Sequence, residues 1–114
     1  MSKTKPASLP PDTVIGGYRV VRRVSSGGFG VVYLAIDGEG QQVAIKEYLP
    51  SSLATRTAGE LLPKVPPEKL SLYRLGLKSF FAEGRVLAQI SHASVVRVLN
   101  FFHVNDTVNM LLDY

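Results

Sequence analysis

Two short stretches of this 114-residue sequence hold residue types suited to gripping a phosphorylated ligand. The first is the turn Ser25-Ser26-Gly27-Gly28-Phe29-Gly30, which lies between two β-branched runs. Glycines in such a turn let backbone N–H groups approach a phosphate, because no side chain blocks the way. An ordinary glycine hairpin has the same composition, so the turn alone is weak support. A dinucleotide fingerprint needs a helix after the glycines, whereas here Val31-Val32-Tyr33-Leu34-Ala35-Ile36 reads as a strand. A Walker-type loop needs a closing Gly-Lys-Ser/Thr, which is absent. What remains is a flap that lies over its ligand.

The second stretch is Val43-Ala44-Ile45-Lys46. A strand period of two places Ala44 and Lys46 on one face, with Val43 and Ile45 on the other. A small residue beside a lysine leaves room for a flat ring next to a positive charge. The ordinary fate of a strand lysine is to snorkel into solvent. The order decides between these: a glycine flap, a hairpin, then Val-Ala-Ile-Lys resembles the protein kinase signature.

The resemblance covers Tyr18 through Tyr114 and implies the ATP-binding N-terminal lobe of a Ser/Thr kinase. By that likeness Val24 and Val32 cover the adenine, Ser25 to Gly30 form the phosphate flap, and Ala44 lies against the ring. Lys46 positions the α and β phosphates. Met110-Leu111-Leu112-Asp113-Tyr114 looks like the strand entering the hinge, so Leu112, Asp113 and Tyr114 complete the adenine site. The family also pairs its lysine with a helix glutamate. Glu83 is the candidate: it lies three residues after Phe80 and four before Leu87, on the apolar face, where a buried carboxylate needs a cation. A surface glutamate paired with a neighbouring Arg is the plainer reading. His92 resembles a structural anchor between helix and sheet.

Two departures stand out. Ser25 replaces the family's first glycine, and serine tolerates positive φ less well. No His-Arg-Asp loop and no Asp-Phe-Gly is present, so no catalytic base or Mg2+ ligand of the family lies in these residues. The resemblance therefore implies a catalytically incomplete part of a kinase. Its parent would bind a protein substrate and transfer the γ-phosphoryl of MgATP, and the C-terminal lobe would supply the Mg2+ ligands. The alternative is a pseudokinase-like module with a regulatory or scaffold role. The run Lys46-Glu47-Tyr48-Leu49-Pro50 and the insert after it look more like bacterial members of the family.

These residues need a frame. The expected fold is α+β, a five-stranded antiparallel sheet with one long αC-type helix. Strands are expected from Tyr18 to Val24, Val31 to Ile36, Gln41 to Tyr48, Val95 to Val104 and Thr107 to Tyr114. Asp37-Gly38 and Asn105-Asp106 mark the tight turns. Leu70, Tyr73, Leu77, Phe80, Phe81, Leu87 and Ile90 recur at helical spacing, predicting a helix from about Ser71 to Ile90. Residues 1–16, with three prolines, read as a disordered leader, and 17–114 as the lobe. Residues 49–69 form an insert with four more prolines, too long for an ordinary connection.

Composition sets outer limits. A 46% hydrophobic content suffices for one compact core. Thirteen basic residues against nine acidic give +4, but they are scattered, which argues against a nucleic-acid surface and allows an anionic ligand. Without cysteine there is no disulfide, thiolate nucleophile or cysteine-based zinc site. No signal peptide or apolar run of membrane-spanning length occurs, so a cytoplasmic location is expected.

Overall fold

The structure is a computed structural model and describes residues 7–28, 30–89 and 98–112, with side chains from 84 to 89 left aside. Six strands make one antiparallel sheet: β1 Val14–Ile15, β2 Tyr18–Ser26, β3 Gly30–Ile36, β4 Gln42–Tyr48, β5 Val98–Val104 and β6 Thr107–Leu112. Their spatial order is β1-β2-β3-β4-β6-β5, and among the described residues one α-helix, α1 Leu70–Gln89, preceded by a 3-10 turn at Pro67–Lys69, is inserted between β4 and β5. The long helix and the antiparallel meander match the sequence reading. The strand count does not, because β1 pairs with β2 and adds a sixth strand.

That strand lies in the stretch expected to be a disordered leader. From Ala7 onward it is bound to the sheet: Leu9 and Ile15 are buried, and the Leu9 N–H donates to the Tyr33 hydroxyl at 3.0 Å. Two apolar side chains among the prolines give this segment something to bury, a signal that composition averaged away.

The hairpins follow from their turn residues. The Asp37 carboxylate accepts the N–H groups of Glu39 and Gln41 at 2.8 and 2.9 Å, and Gly40 supplies the left-handed backbone that closes β3 to β4. Asn105 and Asp106 both adopt positive φ, the geometry that suits a two-residue hairpin between β5 and β6.

Register fixes the two faces. Val32, Lys46 and Met110 lie side by side across β3, β4 and β6, and Leu34, Ala44 and Leu112 form the next row. The opposite face carries Tyr33, Ile45 and Leu111 in one row and Val31, Glu47 and Asn109 in another. All six of those side chains are buried. The core cluster there includes Leu9 and Ile15 from the leader and Ala54 from the insert.

Helix α1 presents Tyr73, Leu77 and Phe80 to the core, as their spacing requires. Gly76 has a packing reason: a Cβ there would stand 2.1 Å from the Tyr48 hydroxyl, which donates to the Tyr73 carbonyl at 3.0 Å. The insert is ordered too. Thr55 and Lys64 bridge it through paired backbone hydrogen bonds of 2.9 and 2.6 Å.

Candidate functional site

Lys46 projects from the middle of β4 on the face shared with Ala44, as strand alternation required. Ala44 is 8% exposed and sits between Leu34 and Leu112 in register. Val32 lies directly across from Lys46. The row therefore runs from a cation to a shallow apolar floor. Sequence reasoning singled out Val32, Ala44, Lys46 and Leu112 for this face. It passed over Leu34 and Met110, although each lies an even number of residues from a chosen neighbour.

The flap stands at the end of this face. Ser25 and Ser26 still pair with Val32 and Val31, and a bulge between Arg23 and Ser25 holds Val24, which is 45% exposed. Positive φ among the described non-glycine residues occurs at Asp12, Asn105 and Asp106, so Ser25 avoids the left-handed backbone its glycine-like position suggested. The Gly27 N–H donates to the Gly30 carbonyl at 2.9 Å and closes the turn.

The three glycines have different reasons. A Cβ on Gly30 would lie 2.0 Å from the Glu47 carbonyl oxygen, so close strand packing demands glycine there. Nothing in the protein lies within 4 Å of a Cβ at Gly27 or Gly28, and neither has positive φ. Packing does not require those two, and the space above them is open. Phe29, Asp113 and Tyr114, all assigned to the site from sequence, lie outside the described residues, as does His92.

A cavity of about 680 Å³ opens beside Lys46, between β4, the start of the insert and α1. Lys46, Phe80, Glu83 and Met110 line it together. Glu83 shares a stripe with Leu72, Gly76 and Ser79, next to the stripe of α1 that packs on the core. It is exposed, not on the buried face assigned to it from Phe80 and Leu87. The ion pairs among the described residues are Arg19–Asp12, Arg56–Glu47 and Lys64–Glu60, so Lys46 and Glu83 share the cavity without touching. The Lys46 ammonium instead lies 6.0 Å from the centre of the Phe80 ring, at the outer reach of a cation–π contact.

A second charged group sits behind the lysine. Glu47 points away from Lys46 into the opposite face, with no exposed surface. It accepts both terminal nitrogens of Arg56, at 2.7 and 2.8 Å, and the Tyr33 hydroxyl at 2.7 Å. Arg56 also donates its Nε to the Ala7 carbonyl at 2.8 Å. Burial lifts the Tyr33 phenol far above its ordinary value, and the Glu47 charge raises it further. Burial opposes the charge on Arg56, but the hydrogen bond and charge of Glu47 outweigh it and raise its pKa. Sequence reading missed this pair. Its only signal was a charge at 47 on the apolar face of β4 and an arginine in a long insert.

Solved structures share this fold. One described as the apo form of PpkA-294 is 35% identical, with a TM-score of 0.87 over 94% of this chain and 38% of that one. The chain is similar in sequence and fold to part of a bacterial Ser/Thr kinase domain. Kinase domain structures of Mycobacterium tuberculosis PknI match at 22% identity and a TM-score of 0.61, which supports the fold. No family model matches the chain, and no curated protein sequence does. The chain spans less than two fifths of each of these solved chains, and those neighbours are bacterial Ser/Thr kinase domains.

Proposed function

We propose that this lobe binds ATP on the face of Ala44 and Lys46, as the nucleotide-binding half of a Ser/Thr protein kinase. The observation that carries this is the register: Leu34, Ala44 and Leu112 form an apolar row, Lys46 follows two residues on, and the open glycine turn ends the face. Adenine would rest on the row beneath Val24 and Val32. The backbone of residues 25–30 and the Lys46 ammonium would hold the phosphates. These residues fit the ligand, since they pair a cation with an apolar floor and unblocked N–H groups.

The intact kinase would transfer the γ-phosphoryl of MgATP to a protein Ser or Thr. The 114 residues contain no catalytic loop aspartate and no Asp-Phe-Gly, so they should not catalyse alone. Mg2+ would be held by residues of the C-terminal lobe. Among the described residues no three His, Cys, Asp or Glu side chains gather for a metal. A rotation of α1 would exchange Phe80 for Glu83 as the partner of Lys46, the pairing that active kinases require.

Titration with MgATP tests the reading. Lys46→Met should weaken binding by about tenfold or more, the loss of a charge-assisted contact to phosphate. Binding that Lys46→Met leaves unchanged would favour the second reading, a pseudokinase-like scaffold. The separation of Lys46 from Glu83 is the observation on that side.

A further inference from the structure

The insert after β4 touches the phosphate flap. The Ser51 N–H donates to the Gly28 carbonyl at 3.0 Å, joining the first turn of the insert to the exposed middle of the glycine turn. That turn is itself fixed: the Leu53 and Ala54 N–H groups both donate to the Pro50 carbonyl, at 3.0 and 2.9 Å. One end continues directly from β4. Five residues beyond Ser51, Arg56 grips the buried Glu47 carboxylate through both terminal nitrogens. Glu47 also meets the flap on its own account, because its carbonyl lies against Gly30 so closely that no Cβ would fit.

We propose that the insert is a brace for the flap: Ser51 holds Gly28 directly, and Arg56 and Glu47 are positioning residues that hold the brace to β4. The proposal rests on the reading that the flap covers nucleotide phosphates. Neither Arg56 nor Glu47 can reach the ligand face, since Glu47 faces the opposite side of the strand from Lys46. Their effect is mechanical. A bidentate arginine–carboxylate pair fixes direction as well as distance. It anchors a turn that would otherwise swing on the end of a strand. A glycine turn with no packing of its own at Gly27 and Gly28 pays a large ordering entropy when it closes on phosphate. An external hydrogen bond to Gly28 removes part of that cost beforehand. The brace therefore serves the phosphates and leaves the adenine row untouched.

Ser51→Pro tests this with a single lost donor. Ser51 is exposed, occupies the second position of the Pro50–Leu53 turn and lacks positive φ, so proline suits it while deleting the N–H. In the intact protein, Ser51→Pro should raise the ATP dissociation constant about fivefold, with adenosine binding changed less than about twofold. Arg56→Lys, which keeps the charge but loses the fork, should shift ATP and adenosine in the same unequal way. Unchanged or tighter ATP binding, or an equal loss for adenosine, would overturn the brace. If the unaltered protein binds neither ligand, the nucleotide reading fails and the brace is judged by amide exchange. Ser51→Pro should then speed exchange of the Gly27 N–H relative to the amides of β3. Equal rates would overturn the brace on its own.

Discussion

Arg56 and Glu47 are 4% and 0% exposed, and each is the other's main charge partner. A buried pair of this kind is held together by geometry, because both ions have lost their water. Removing one side leaves the other charged and dry. Arg56→Met should therefore destabilise the fold by about 3–5 kcal/mol, measured by urea unfolding. A loss within experimental error would show that water reaches Glu47. The tyrosines give a second residue-scale prediction. Burial raises the pKa of Tyr33, Tyr48 and Tyr73 from the ordinary 10.0, so folding favours their neutral forms. Below pH 10 both states are protonated and the contribution is intact. As pH rises past 10 the unfolded chain ionises first, and stability falls. Tyrosinate absorbance should then appear cooperatively with unfolding, whereas a gradual, independent titration of all five tyrosines would contradict it.

Elements were legible where pattern and turn chemistry agreed. The helix predicted from Ser71 to Ile90 is found at Leu70–Gln89, and β3 and β4 lie within a residue of expectation. Each has a strong period and a defined stop. The face of Lys46 was legible for the same reason, since β alternation is rigid. What periodicity could not show is contact across distance. The Arg56–Glu47 pair joins a loop to a strand, and Leu9 reaches Tyr33 from a proline-rich leader. Glu83 was placed on the buried face, but it stands about 60° round the helix from Phe80, on the side away from Tyr73 and Leu77. By propensity alone Gly76 is a weak point in the helix, at a cost of ~1 kcal/mol against alanine. Its role is to admit the Tyr48 hydroxyl. Gly76→Ala should therefore destabilise by about 1–3 kcal/mol in spite of its better propensity. In a Tyr48→Phe background most of that loss should vanish, and a double-mutant cycle on thermal melts would show it. Simple stabilisation by Gly76→Ala would refute the packing argument.

The whole molecule is a sheet with two unlike faces. One is closed by the leader and the insert around a buried ion pair. The other is open, with Val24 half-exposed above Ala44 and Lys46, and a cavity leads from the lysine toward α1. Among the described residues no helix is long and apolar enough to cross a membrane. Leu34 and Ala44 are themselves buried, so this face opens at its rim, at Val24 and Lys46, and not along the apolar row. Such a division also makes the functional claim local to one face. Hydrogen exchange of the intact protein, compared with and without MgATP, tests that claim most directly. The account predicts slowed exchange in residues 24–30, around Ala44 and Lys46, and near Leu112, with Leu9, Ala54 and Arg56 unchanged. Protection confined to the face of Tyr33 and Glu47, or none at saturating MgATP, would contradict it.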